Sequence, residues 1–110
     1  MCISVRFIER NIWKVGIKMK ELKDTIELMN SEDYKERFRV EYYQTKIRYE
    51  KLKKLNNKIE AYNLLDYDKR KIMEEPKHDC PVSMLMDQQH VMGSYLHILE
   101  IRAEIEKIEL

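Results

Sequence analysis

The sequence predicts an all-α fold: an antiparallel two-helix hairpin with a short N-terminal helix. Residues 31–62 and 81–108 both carry apolar side chains at helical spacing, and the two stretches are nearly equal in length. Matched amphipathic helices in one small chain favour a hairpin, because each buries its apolar side against the other. Only two Gly and two Pro among 110 residues fit long helices joined by few turns. Because a two-helix core buries little surface, we expect oligomerisation to complete it.

The chain divides into an N-terminal stretch, residues 1–18, and a single helical hairpin domain, residues 19–110. Apolar and polar residues alternate in the first stretch, which is typical of a short β extension. The run Trp13–Gly16 can instead be encoded by a purine-rich sequence that resembles a bacterial ribosome-binding site, with Met19 at a suitable distance. Residues 1–18 are therefore interpreted either as a short β or disordered extension or as a translated leader that is not native protein.

The hairpin domain is expected to begin with a short helix, Met19 to Met29. Asn30 and Ser31 then supply side chains that cap helices, and the acids that follow favour a first helical turn. The first long helix is therefore predicted from Ser31 to about Tyr62. Its main apolar face recurs at helical spacing and consists of Tyr34, Phe38, Tyr42, Thr45, Tyr49, Leu52 and Ile59.

A linker, residues 63–79, is expected to join the long helices and to contain a partial turn around Tyr67–Met73. Because a residue before proline avoids helical backbone angles, Cys80 is predicted as the cap of the second long helix and Pro81 as its first residue. Gly93 lies inside this helix and is expected to allow close helix approach. The centre of the apolar face is formed by Leu85, Met92, Leu96, Leu99 and Ala103.

Further apolar residues widen this face to about half of the helix circumference. A face that broad can serve two contacts, the hairpin partner and a second chain. The first long helix also has apolar residues that point away from its main face. The predicted interface of a homo-oligomer combines both sets: Val40, Tyr43, Ile47, Ile98, Ile101 and Ile105.

Charged residues flank both apolar faces. Antiparallel pairing of matched helices places residue 41 near residue 100, so Glu41 and Arg102 are predicted to form a semi-buried ion pair. Such a pair specifies the register of two helices more than it stabilises them. A polar ligand site between the helices is the alternative for these residues.

A basic cluster on the first long helix is the strongest functional indication. Residues 46–58 contain six cationic side chains and a single carboxylate, Glu50. The C-terminal end of the chain carries an excess of acidic residues. Lysines with an aromatic ring on the same helix can hold phosphates and stack on a base, whereas the plainer interpretation is a solvated helix face. The predicted phosphate or nucleotide site is Lys46, Arg48, Tyr49, Lys51, Lys53, Lys54 and Lys58.

We expect no cofactor, no metal and no enzymatic activity. His90 and His97 lie two turns apart, too far for easy chelation of one ion, and His78 with Cys80 lacks a third ligand at suitable spacing. These histidines are interpreted as solvated side chains. The sequence contains no glycine-rich phosphate loop, nucleophile elbow or paired-carboxylate motif. It has no apolar run of the ~20 residues that a membrane span needs, and its two cysteines fit a reducing cytoplasm.

Two stretches of the chain carry a resemblance. The first is Tyr42–Leu52, and the second comprises Cys80–Pro81, Gln88, Met92–Gly93, Tyr95–Leu96 and Leu99–Glu106. Together they resemble a family of small helical-hairpin proteins of phages and prophages of gut Firmicutes, often described as crAss-like-phage-related. The resemblance covers about residues 22–110 and implies the cytoplasm of a bacterial host cell. The family has no established activity, so no functional residue carries over.

Three functional hypotheses follow. The first is a non-enzymatic phage or prophage protein that acts by binding and self-association, with a nucleotide or a host or phage protein as partner. The second is an anti-defence sponge that sequesters a (cyclic) nucleotide signal through the basic cluster. The third is a DNA-associated phage regulator, although a net charge of +1 argues against broad duplex binding. Binding to nucleic acid stays open at this point.

Overall fold

The computed structural model describes residues 19–110, and every regular element in this range is helical. A 3₁₀ turn, Leu22–Thr25, precedes three helices: α1 (Tyr34–Leu64), α2 (Tyr67–Ile72) and α3 (Val82–Glu106). The long helices α1 and α3 pack against each other. The predicted helical hairpin is therefore confirmed. The predictions for residues 1–18, a β or disordered extension or a leader, lie outside the described residues.

Helix α1 begins three residues later than predicted. Its cap is Asp33, whose Oδ1 accepts a hydrogen bond from the Lys35 amide at 2.9 Å. The hydroxyl of Ser31 instead donates to Glu36 at 3.0 Å and accepts from the Asp33 amide at 3.1 Å. Ser31 thus orders the chain before the helix, and a carboxylate beside the exposed amides of the first turn provides the cap.

Helix α3 begins at Val82, with Pro81 as its cap rather than its first residue. Its C-terminus is closed by Lys107, which adopts a left-handed conformation with φ 58°. This turn lets the Ile108 amide donate to the Ala103 carbonyl at 2.8 Å, the hydrogen bond of a Schellman motif. The chain is thereby folded back, and the Ile108 side chain is buried in the core.

In the N-terminal segment, residues 19–30, the predicted short helix is present as the 3₁₀ turn Leu22–Thr25, which is shorter than the predicted range from Met19 to Met29. The segment packs against α1. Met19 and Thr25 are buried, and the Thr25 hydroxyl donates to the Leu22 carbonyl at 2.6 Å and accepts from Gln44 at 2.9 Å. The hydrogen bond from Gln44 and the buried side chains of Met19 and Thr25 hold the segment against α1.

This packing corrects half of the predicted oligomer interface. Val40 and Tyr43 are buried in the core of the single chain, and Ile47 is half-buried, because α1 has packing partners on a second face as well as on the face toward α3. They cannot offer a free docking patch. The three members on α3, Ile98, Ile101 and Ile105, stay exposed.

The main core lies along the seam between α1 and α3. Phe38 and Tyr42 of α1 belong to one buried cluster with Leu99 of α3, whose side chain is fully enclosed. The Tyr42 hydroxyl donates to Glu100 at 2.6 Å. Residue 42 thus lies opposite residue 100, which confirms the antiparallel register predicted from the matched helix lengths.

The linker carries the predicted partial turn as the six-residue helix α2. Asp66 caps it by accepting from the Lys69 amide at 3.0 Å. Its apolar side chains Tyr67 and Ile72 are largely exposed. The α2 segment therefore adds no buried side chain to the hairpin core.

Candidate binding groove

An open groove of about 730 Å³ runs beside the middle of the α1–α3 seam. The ring of Tyr49 on α1 lines one side. Helix α3 lines the other with Met86, Gln89, His90, Gly93, Ser94, His97 and Ile98. The groove thus combines an aromatic ring, two imidazoles and neutral hydrogen-bonding groups in one concave surface, the kind of lining that holds small ligands.

The position of the Tyr49 ring depends on Gly93. A Cβ added to Gly93 would lie 3.2 Å from Tyr49 Cε1 and 3.5 Å from the hydroxyl oxygen. The ring therefore lies directly against the backbone of α3. The predicted role of Gly93 in close approach is confirmed, and its effect is to seat an aromatic side chain at the edge of the groove.

Two of the six predicted cations accompany tyrosines on the same side of α1. The ammonium nitrogen of Lys53 lies 6.0 Å from the centre of the Tyr49 ring. That of Lys46 lies 5.7 Å from the centre of the Tyr42 ring. Since residues three, four and seven apart share a helix face, Lys46, Tyr49 and Lys53 present one aromatic and two positive groups beside the groove.

The other four predicted cations are exposed, and helical geometry separates them from Tyr49. Each residue advances about 100° around the axis, so residues one, two, five and nine positions from Tyr49 lie on other faces. These residues are Arg48, Lys51, Lys54 and Lys58. Only Lys46, Tyr49 and Lys53 of the predicted nucleotide site are therefore brought together at the groove.

The sequence interpretation missed the contribution of α3. It treated His90 and His97 as solvated side chains; both are exposed, but both also line the groove opposite Tyr49. The signal that could have found them is their seven-residue spacing around Gly93. That spacing puts both imidazoles on the side of α3 that carries Gly93.

A buried amide holds one of the groove-lining residues, Gln89. Asn56 of α1 donates from Nδ2 to the Leu85 carbonyl at 3.1 Å and to Gln89 Oε1 at 2.8 Å. The Oδ1 atom of Asn56 is buried and has no hydrogen-bond partner within the described residues. The bond to Gln89 fixes the orientation of a groove-lining amide. Asn56 was not singled out in the sequence, although it continues the spacing of the apolar face.

The predicted ion pair between Glu41 and Arg102 is replaced by other contacts. Glu41 accepts a hydrogen bond from the hydroxyl of Tyr95. Arg102 Nε pairs with Glu106 at 3.0 Å, and its Nη2 donates to the Tyr34 hydroxyl at 2.7 Å. Tyrosines thus bridge the charges across the seam, on the side away from the groove.

These hydrogen bonds change the acidity of the tyrosines. Burial and the hydrogen bond to Glu100 raise the pKa of Tyr42 far above its usual range. The hydrogen bond to Glu41 raises the pKa of Tyr95, and the one to Glu106 raises that of Tyr34. Each pKa rises because the carboxylate accepts a hydrogen bond from the neutral phenol and would repel the phenolate.

A second hollow of about 500 Å³ lies beside the C-terminal end of α3 and is lined mainly by acidic and apolar residues. Glu100, Glu104 and Glu109 contribute to its lining, with Lys107 as the one cation among the lining residues. Negative potential disfavours a phosphate there. An anionic ligand is therefore better accommodated at the Tyr49 groove.

Within residues 19–110, no group of three or more His, Cys, Asp or Glu side chains is arranged to hold a metal ion. The exposed Cys80 and the ring of His78 are neighbours, and His78 Nδ1 lies 2.8 Å from the Cys80 carbonyl oxygen. No helix of this part of the chain is both long and apolar enough to cross a membrane.

Comparison with known proteins identifies a family. The Sequestin family profile matches residues 32–105, which include all of α1 and α2 and nearly all of α3. The match covers more than half of the chain, so the chain belongs to the Sequestin family. Among curated proteins and among solved structures, none matches the chain.

Proposed function

We propose that this member of the Sequestin family is a non-enzymatic binding protein that sequesters a nucleotide signal, such as a cyclic nucleotide, in the groove beside Tyr49. The family name is consistent with sequestration, and the matched segment, residues 32–105, contains every groove residue. The observation that carries the proposal is the convergence of Tyr49 and Lys53 with the imidazoles of His90 and His97.

Each group has a chemical task in this proposal. The exposed face of the Tyr49 ring stacks on a base, which contributes roughly 1–3 kcal/mol per base in comparable sites. Lys53 and Lys46 neutralise phosphate oxygens, and the imidazole N–H groups donate to the same oxygens. Asn56 holds the side-chain oxygen of Gln89, and the amide nitrogen of Gln89 then donates to a base edge or a ribose hydroxyl.

Sequestration requires tight binding without turnover. A hydrolase would need a nucleophile activated by a base, which in turn is oriented by a third group. Among the groove residues, Ser94 and the two imidazoles have no such hydrogen-bonded arrangement. The proposal is accordingly that the ligand is held and released intact. A bacterial host infected by a phage or carrying a prophage remains the setting predicted from the resemblance.

The test is isothermal titration calorimetry of the full chain with a panel of cyclic dinucleotides, cyclic trinucleotides and linear nucleotides. We expect one class to bind, and Tyr49→Leu to weaken it at least about tenfold, as loss of a base stack does. The matched control is Tyr67→Leu, because Tyr67 is also paired with a lysine, Lys71 at 4.4 Å, but lies on α2. Equal losses in both variants would contradict the groove assignment.

A second pair of variants separates a site from general attraction. Lys53→Ala and Lys54→Ala remove the same charge from adjacent exposed positions, but only Lys53 lies beside Tyr49. We expect the first change to weaken binding several-fold more than the second. Equal effects with a steep salt dependence would favour nonspecific binding of nucleic acid. Chromatography of the ligand released by denaturation should return it unchanged; recovery of a cleaved product would overturn the non-enzymatic assignment.

A further inference from the structure

A relay of hydrogen bonds connects the backbone of α3 to the lining of the groove. The side-chain nitrogen of Asn56 donates to the Leu85 carbonyl oxygen at 3.1 Å and to Gln89 Oε1 at 2.8 Å. Asn56 is only 3% exposed, whereas Gln89 is half-buried and lines the groove. A buried residue on α1 therefore holds an amide that a bound molecule can reach.

The Leu85 carbonyl determines the orientation of the Asn56 amide. A backbone carbonyl oxygen only accepts hydrogen bonds, so the nitrogen of Asn56 has to face it. The reversed amide would place Asn56 Oδ1 against the Leu85 oxygen, and two acceptors would oppose each other in a buried place. The observed orientation holds even though it leaves Oδ1 without a partner among the described residues. The backbone of α3 thus decides which way the Asn56 amide points.

The orientation of Asn56 in turn determines that of Gln89. A side-chain amide accepts hydrogen bonds with its oxygen and donates them with its nitrogen. Because the second N–H of Asn56 points at Gln89, the Gln89 oxygen has to lie there; a nitrogen in its place would oppose two donors. The nitrogen of Gln89 is the atom that remains for the groove.

The position of this nitrogen suits the edge of a stacked base. Gln89 lies four residues, about 6 Å along the helix axis, from Gly93, against which the Tyr49 ring packs. No Asp or Glu is among the residues that line the groove. Hydroxyls and imidazoles both donate and accept, whereas the exposed atom of Gln89 only donates. The groove therefore contains one donor of fixed direction beside its aromatic ring.

We propose that Asn56 is a positioning residue that makes Gln89 a donor only, so that the groove selects nucleotides by a hydrogen-bond acceptor at this point. The matching group is a carbonyl oxygen or an unprotonated ring nitrogen of the base. An amino group or a protonated ring nitrogen there is rejected, because two donors would face each other. Recognition of adenine by both atoms of a glutamine amide is closed to Gln89, since Asn56 occupies its oxygen. This selectivity rests on the proposed nucleotide-binding function of the groove, whereas the orientation of the amide does not.

Nuclear magnetic resonance of the full chain tests the orientation without a nucleotide. The side-chain amide protons of Asn56 should be protected from exchange with water, because both are held in buried hydrogen bonds. Those of Gln89 should exchange rapidly, because its nitrogen faces the open groove. Protected protons on Gln89, or unprotected ones on Asn56, would overturn the relay.

Calorimetry with purine nucleotides that lack one acceptor tests the selectivity. Each cyclic or linear purine nucleotide that binds is compared with its deaza analogues, which lose a ring nitrogen, and its deoxo analogue, which loses the carbonyl oxygen. We expect one analogue to bind wild type at least about tenfold more weakly. Gln89→Leu should abolish this difference, because the donor is gone. Gln88→Leu changes an adjacent, exposed glutamine and should preserve the difference.

Asn56→Leu separates positioning from direct contact. With its oxygen released, Gln89 turns either way, so the difference between the parent nucleotide and the weakened analogue should shrink while circular dichroism shows an intact hairpin. If this variant does not fold, Gln89→Glu replaces it: Asn56 still holds one oxygen, an acceptor now faces the groove, and the preference should reverse. A difference that survives Gln89→Leu, or no weakened analogue, would overturn the inference alone. Absence of binding by every nucleotide would overturn the proposed function as well.

Discussion

The ring of Tyr49 lies against the backbone of Gly93, so close that a methyl group on Gly93 would meet Tyr49 Cε1 at 3.2 Å. This contact joins the middle of α1 to the middle of α3 and forms the edge of the groove. It links helix packing to ligand binding, because the residue that permits the close approach also determines where the aromatic ring lies.

The first prediction concerns substitutions at Gly93. In Gly93→Ala, a gain in helix propensity of about 1 kcal/mol is offset by displacement of the Tyr49 ring, so we expect a small change in the free energy of unfolding. Gly93→Leu should cost about 1–3 kcal/mol, because the larger side chain forces the seam apart. Urea unfolding measures both.

A double-mutant cycle shows whether Tyr49 is the group that Gly93 accommodates. In a Tyr49→Ala background the cost of Gly93→Leu should fall, because space for the new side chain is already present. An unchanged cost would mean that the clash lies elsewhere in the seam.

The second prediction compares two adjacent asparagines on α1. Asn56 is buried and donates to the Leu85 carbonyl and to Gln89, whereas Asn57 is exposed. Asn56→Asp places a carboxylate against two acceptor oxygens. We therefore expect the free energy of unfolding to fall by about 3 kcal/mol or more at neutral pH. Asn57→Asp should change the free energy of unfolding by no more than about 0.5 kcal/mol.

The pH dependence of Asn56→Asp provides the internal check. Burial raises the pKa of the introduced carboxyl above its unfolded value of about 3.9. The neutral acid is tolerated below that value, and the penalty grows as pH rises toward the folded pKa. A penalty that is equally large at acid pH would indicate that shape rather than charge is responsible.

The third prediction follows from the raised pKa of Tyr42. The unfolded phenol ionises near pH 10, while the folded one stays protonated. The unfolded state therefore loses its proton first, so this contribution to stability is complete below about pH 10 and is lost as pH rises further. Tyr42→Phe should lower the free energy of unfolding by about 1 kcal/mol at pH 8, because the hydrogen bond to Glu100 is lost. The difference in free energy of unfolding between wild type and Tyr42→Phe should narrow toward pH 11.

Denaturant unfolding between pH 8 and pH 11 measures this narrowing. Tyr67→Phe removes a hydroxyl from an exposed ring on α2 and is the control. A gap between wild type and Tyr42→Phe that stays constant with pH would contradict the assignment of the raised pKa to Tyr42.

The fourth prediction tests which carboxylate interacts with Arg102. The guanidinium pairs with Glu106 and contacts Tyr34, while Glu41 is engaged by Tyr95. A double-mutant cycle of Arg102→Met with Glu106→Gln should give a favourable coupling energy that shrinks in high salt. The same cycle with Glu41→Gln should give a smaller coupling energy. A larger coupling energy with Glu41 than with Glu106 would support the Glu41–Arg102 pair predicted from the register.

The sequence by itself determined the helical hairpin and its register. Apolar spacing and matched lengths were sufficient, because helix amphipathicity is a local property and two rods of equal length have few ways to pair. The Tyr42–Glu100 contact agrees with the predicted register, although the predicted Glu41–Arg102 pair does not form. The same local reasoning found the tyrosine and the lysines of α1 as candidate ligand residues.

Only the tertiary structure decided which surfaces remain free. Val40 and Tyr43 look like a docking patch in the sequence, but they are buried within the single chain. His90 and His97 look like solvated residues, but close packing at Gly93 brings them opposite Tyr49. The physical reason is that burial and convergence depend on contacts between residues distant in the chain, which no periodicity within one helix contains.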